Sequence, residues 1–259
     1  MSNLLSKTLI VGLYLFLLAP ILIIFVVSFG ADPFLAFPPS HWGLNWYIEV
    51  LRNPEFTRAF RLSFAIALVV TAIALVVGML AALALGRFHF RGKEVLLSFF
   101  TAPLLIPSIV LGLSLLLVFL PLGLASTFRG LVLGHLLVVL PYVIRILTVA
   151  FQTMSRQYEE AALSLGATPW VAFWRITLPL ILPSLVASAA LAFILSFDEV
   201  VISLFLVGPR VKTLPVAIYE YVEFRTDPQI AALSVLLILL SMLVVLIIER
   251  TVGLFRAVR

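Results

Sequence analysis

The sequence contains no cysteine, which excludes disulfides and thiolate-held metals. It is also poor in charge: Asp, Glu, Lys and Arg make up 11% of its 259 residues, against about 25% in an ordinary soluble domain. That supply cannot cover a water-facing surface. Histidine is scarce, and His41, His89 and His135 lie far apart without companion ligands. Each is read as an interfacial or packed side chain, and no metal site is expected. A phosphate-binding glycine loop is missing as well. The only Gly-Lys pair, Gly92-Lys93, is followed by Glu94 and lacks the upstream glycine. No Gly-x-Ser-x-Gly elbow or nucleophile–base pair occurs, so no catalytic residue is assigned and an intramembrane enzyme is disfavoured.

What the chain has instead is apolar length. Hydrophobic residues make up 63% of it, in recurring runs of about 20 residues, the length that crosses a bilayer as a helix. This reads as an all-α, multi-span membrane protein forming a single domain over residues 1–259. Six spans are expected, at about 8–29, 60–85, 95–120, 131–151, 180–207 and 230–248. The first is too long for a signal peptide, whose apolar region runs about 7–15 residues, so it is read as a retained anchor. Pro103, Pro107, Pro141 and Pro183 are expected to kink the spans that hold them.

The net charge of +5 sits between apolar runs. There it orients helices and meets anionic lipid headgroups rather than nucleic acid. Arg87, Arg91 and Lys93 crowd one short loop, whereas acids accompany the cations on the other side. This places the N-terminus in the cytoplasm. The larger outer loop carries Trp42, Trp46 and Tyr47, ring types that collect at the membrane boundary.

Residues 152–178 form a second large loop, on the inner side, which from Tyr158 reads YEEAALSLGATPWVAFWRITL and runs on into Pro179. A short helix is expected with Glu159 and Glu160 in its first turn, where acids suit the dipole. Gly166 stops it, and Thr168-Pro169 restarts a second. Ala161, Ala162 and Gly166 make one part of this loop small enough for close approach by another protein. An amphipathic connector resting on lipid is the competing reading.

The fifth span carries Ser196, Phe197, Asp198 and Glu199 in an otherwise apolar run. Ionisable groups in a membrane cost about 3 kcal/mol on insertion scales and face a cavity or a partner. Adjacent carboxylates point about 100° apart on a helix, so one lines a path while the other meets Arg145 or another subunit. A buried structural ion pair is the alternative. As a path, a carboxylate pair beside Phe197 suits an ammonium group, by Coulomb attraction and cation–π contact.

Two patterns carry a family resemblance. Glu160-Ala161-Ala162, three residues, Gly166, nine residues, Ile176, one residue, and Leu178-Pro179 resemble the full EAA signature of type I binding-protein-dependent ABC importer permeases. The resemblance implies that fold, in the bacterial cytoplasmic membrane, with the loop as a cytoplasmic coupling helix. Glu160, Ala161, Ala162 and Gly166 would then contact the ATPase. It also implies the partners: a homologous permease completing a heterodimer, two cytoplasmic ATPase subunits that bind ATP and Mg, and a periplasmic or extracellular binding protein. This chain would hold no cofactor itself.

Ser196 to Ser203 (SFDEVVIS), Gly208-Pro209 and Thr213-Leu214-Pro215 resemble the second, C-type subunit of spermidine/putrescine permeases. Asp198, Glu199, Ser196 and Phe197 would line the substrate path, with Trp46 guiding a cation inward or anchoring the interface. Other importer permeases move opines or different amines on one scaffold. An ion-coupled secondary transporter would also bury carboxylates, but no inverted repeat supports it.

Overall fold

The computed structural model describes residues 2–225 and 227–252. Twelve α-helices follow one another among them: α1 Ser2–Ser28, α2 Asn45–Arg52, α3 Pro54–Arg87, α4 Lys93–Thr101, α5 Ser108–Phe119, α6 Phe128–Thr153, α7 Gln157–Ser164, α8 Pro169–Ala172, α9 Leu178–Phe197, α10 Val201–Leu206, α11 Leu214–Phe224 and α12 Gln229–Val252. The described residues contain no β-strand, only the isolated bridges Gly30–Trp42 and Gly208–Val211. Among the described residues, four helices are long and apolar enough to cross a membrane, or five when the bent α4–α5 pair is taken as one span. The last predicted span falls on α12, which is apolar over Gln229–Leu243.

Two expected spans are broken. The third is α4, a 3-10 turn over Ala102–Leu105 and α5, with a bend of 102° between them. Pro107 disfavours helical backbone at the residue before it, and Ile106 is extended with ψ 130°. The fifth ends at Phe197, and α10 starts afresh at Val201. Asp198 and Glu199 therefore lie at a helix break, not within a continuous helix. Pro141 and Pro183, by contrast, sit inside unbroken helices.

Contacts divide the chain into two compact units. One contains α1, the outer loop, α2 and Ala217–Leu243. It is joined by the Ser28–Tyr47 hydroxyl pair at 2.6 Å and by the Phe56–Tyr221 rings at 5.2 Å. The other is built on Ala59–Val216. Its core gathers Ile66 and Val70 of α3, Val143, Leu147 and Phe151 of α6, Ile181 and Ala192 of α9, and Ile202 and Leu206 of α10. Close approach is enforced at Gly134, where an added Cβ would stand 2.6 Å from Leu206 and 3.0 Å from Ile202. The glycine lets α10 lie directly on α6.

Candidate functional site

Residues 152–178 fold as their sequence predicts. Glu159 and Glu160 lie in the first turn of α7. Gly166 adopts φ +89° and ends the helix in a Schellman turn. Its N–H donates to Leu163 O at 3.0 Å, and Ala167 N–H donates to Ala162 O at 3.0 Å. Thr168 then caps α8, its Oγ1 accepting from Val171 N–H at 3.3 Å, with Pro169 in the first turn. Between α8 and α9, residues Phe173–Thr177 widen into a π turn, with Leu178 N–H bonded to Phe173 O. Pro179 follows and has no N–H to continue the narrower ladder.

Of the four signature residues, Glu160, Ala161 and Gly166 are exposed, and a Cβ at Gly166 would meet open space. Ala162 is buried instead. Its small side chain seats α7 on the protein, leaving the other three to face outward. Leu165 and Trp170 project beside them, 89% and 70% exposed. A groove of about 560 Å³ runs along the loop, lined by Leu83, Phe88, Leu163, Trp170 and Phe173.

A polar staple that sequence patterning does not reveal holds the loop. Glu159 Oε1 accepts from Arg87 Nη2 at 3.2 Å and from the Thr177 hydroxyl. Arg87 also donates to Met154 O at 3.2 Å, and Arg156 donates to Arg87 O. One arginine at the end of α3 thus ties together the end of α6, the start of α7 and the π turn. In the sequence Arg87 reads only as an orienting cation, because its partner is 72 residues away.

At the opposite end of α9 lie the carboxylates. Asp198 is exposed, and no ion pair joins it to a cation among the described residues. Glu199 is half-buried and folds back, its Oε1 accepting from Ile202 N–H at 2.9 Å, which caps the start of α10. The expected pairing with Arg145 is not formed. Arg145 is exposed ten residues beyond His135 on α6, about 15 Å along the axis, and His135 is the α6 residue that touches this break. Phe197 packs edge-on to Phe60 at 5.9 Å and stacks on Phe193 at 5.8 Å. Phe64 closes the ring of four, stacked on Phe60 at 6.0 Å and edge-on to Phe193 at 5.6 Å.

Ser196 is not on an open face. It is 2% exposed, and its hydroxyl lies 3.0 Å from His135 Nδ1. His135 Nε2 lies 3.0 Å from the Ser203 hydroxyl. The histidine's position within a span was the sequence signal for this cluster, since ionisable side chains there are rarely idle.

Trp46 belongs to the other compact unit. It is half-buried, and its Nε1 donates to Asp32 O at 3.3 Å. Asp32 organises the outer loop, accepting from Ser40 N–H at 2.7 Å and pairing with His41 Nδ1 at 3.0 Å. The His41 hydrogen bond holds the Asp32 carboxyl below its ordinary value. Trp46 is thus a strut of the loop that bears it.

Residues 74–255 match the family model described as binding-protein-dependent transport system inner membrane component. The chain is 37% identical over 232 residues to the putrescine transport system permease protein PotI of Escherichia coli (strain K12), covering 87% of this chain and 82% of that protein. It is 32% identical over 242 residues to the spermidine/putrescine transport system permease protein PotC of the same organism, covering 91% and 89%. In fold it is similar to a subunit of a bacterial ABC transporter involved in the import of the acidic polysaccharide alginate. The TM-score there is 0.74 at 20% identity, over 97% of this chain and 95% of that one. A second structure of an alginate transporter, in complex with its alginate-loaded periplasmic protein, aligns with TM-score 0.71 at 14% identity, over 95% and 93%. The chain belongs to the binding-protein-dependent transport system inner membrane components, as a multi-pass permease subunit of an ABC importer.

Proposed function

We propose that this permease carries a small organic polycation, putrescine or spermidine, into the bacterial cell. The observation that carries this reading is Asp198. It is an exposed carboxylate at a break in an apolar helix, beside the aromatic ring of Phe197 and without a cation to neutralise it. Such a group attracts an ammonium, and the neighbouring ring accommodates a methylene spacer or makes a cation–π contact. Similarity to permeases named for putrescine and spermidine supports the same substrate class.

In this reading the chain crosses the membrane six times with its N-terminus in the cytoplasm, so residues 152–178 face the cytoplasm. A homologous permease completes the path as a heterodimer. Two ATPase subunits, which hold ATP and Mg, dock on Glu160, Ala161 and Gly166. A soluble binding protein delivers substrate from outside, past the loop braced by Trp46. Closure of the ATPases pushes on α7, and the Arg87–Glu159–Thr177 staple passes that displacement into α3, α6 and α9. Asp198 and Phe197 contact the substrate. Glu199 shapes the break as a cap, and Ser196 acts through His135.

Uptake of labelled putrescine and spermidine into proteoliposomes holding the full complex, with and without ATP on the ATPase side, tests this. ATP-dependent accumulation of either amine is expected. ATP hydrolysis without amine uptake would discard the polyamine and retain the importer.

A further inference from the structure

The segment that bears the carboxylates has its two ends held by one side chain. Ser196 is the penultimate residue of α9, and Ser203 lies one turn into α10. Asp198 and Glu199 lie between them. The imidazole of His135 reaches both hydroxyls, one from each ring nitrogen, at 3.0 Å each. All three groups are sealed from solvent, with exposures of 1% for His135, 2% for Ser196 and 0% for Ser203. Gly134, the preceding residue, lets α10 come close enough for the second bond.

Apolar side chains could fill this space without desolvating three polar groups. What they could not do is bond to two separate helices in fixed directions. A histidine offers one donor and one acceptor at opposite edges of a rigid ring, and a serine hydroxyl can meet either. Satisfied buried polar clusters select one arrangement over alternatives of similar packing.

We propose that His135 is a positioning residue that pins the α9–α10 break and thereby sets the places of Asp198 and Glu199. Its consequence for substrate affinity rests on the polyamine reading; the pinning itself does not. Breaking the clamp frees α10 to shift against α6, so Asp198 and Glu199 lose their fixed places while the loop at the other end of α9 is untouched.

The chain has no cysteine, so Leu204→Cys, on the 39% exposed outer face of α10, gives a unique labelling position. A nitroxide is attached there in the complete complex, with cysteine-free partner subunits, in proteoliposomes. The spectrum is expected to be ordered with His135 present and more mobile with His135→Phe. His135→Gln, whose amide keeps one donor and one acceptor, is expected to restore most of the order. Should His135→Phe fail to assemble, Ser203→Ala removes one bond at almost constant volume and gives the same readout.

In putrescine uptake, His135→Phe is expected to raise KM about tenfold with kcat nearly unchanged, the signature of lost binding rather than lost chemistry or coupling. Spectra indistinguishable between His135 and both His135→Phe and Ser203→Ala would overturn the proposal, as would equal order in the Phe and Gln variants. A parent complex that takes up no putrescine would overturn the polyamine reading, while the spectra would still decide the clamp.

Discussion

The two ends of α9 are held by different chemistry. At the coupling end the fastener is ionic, an Arg87–Glu159 pair with side chains 8% and 27% exposed. It lies where the loop meets cytoplasm and headgroups in the proposed orientation. At the carboxylate end the fastener is a network of imidazole and hydroxyls, and Asp198 beside it is exposed and joined to no cation by an ion pair among the described residues. Charge is cheap where water reaches one partner and costly where it does not. The contrast separates two tasks. In the proposed function the ionic end transmits displacement from a docked protein and tolerates water, and the histidine-held end orients a carboxylate without neutralising it.

The largest expected effect breaks the coupling end from outside. A Cβ at Gly166 would meet open space, so Gly166→Asp places a carboxylate in the proposed docking interface, where an unpaired charge costs about 2–5 kcal/mol. ATP hydrolysis stimulated by the binding protein should fall more than tenfold. Gly166→Asn, which also tolerates the left-handed backbone without adding charge, should keep most of it. Equal loss in both variants would mean that the backbone, not the docking surface, is the sensitive feature.

Next comes the carboxylate end. Asp198→Asn keeps shape and removes charge, and a hydrogen bond to a charged group is worth about 2 kcal/mol. Amine kcat/KM should drop roughly 30-fold, with assembly and thermal stability unchanged. Unaltered uptake would remove Asp198 from the path.

A smaller loss follows from opening the staple. Arg87→Met leaves Glu159 without its cation, and for a pair partly open to water the cost should be about 1.5 kcal/mol. Glu159→Gln added to Arg87→Met should recover part of it. A fully additive double variant, measured by thermal unfolding of the detergent-solubilised complex, would show that the two side chains do not interact.

The smallest effect is confined to the outer loop. The hydrogen bond from His41 lowers the Asp32 carboxyl below its ordinary 3.8. A depressed carboxyl contributes its stabilisation in full above the ordinary value and loses it as pH falls through the lowered one. The protection of the Ser40 amide, its exchange relative to an unstructured amide at the same pH, should therefore hold above pH 3.8 and fall only below it. Protection lost well above that value would contradict the assignment.

Much of this was legible in the chain. The shortage of charge and the apolar runs imply a helical membrane protein, because only helices satisfy every backbone group within so short a segment. The loop over residues 152–178 is local in sequence: a glycine stop, a threonine cap and a proline start each act within a few residues, and each is seen where expected. The breaks at Pro107 and Asp198 were less legible. Pro141 and Pro183 sit in unbroken helices while Pro107 ends one, so proline alone does not tell a kink from a break. Surrounding packing decides whether the freed carbonyls are satisfied.

By itself the sequence determined the class, the family and the local fold of residues 152–178, since each depends on composition or on spacings within one helix or turn. Only tertiary structure decided which polar residues meet. Glu159 rather than Glu160 grips Arg87, Ser196 turns inward to His135, and Glu199 caps α10 while Asp198 stays open. These partners lie 61 to 72 residues apart in the first two cases. Their pairing depends on how α3, α6 and α9 pack side by side, and no local propensity encodes that.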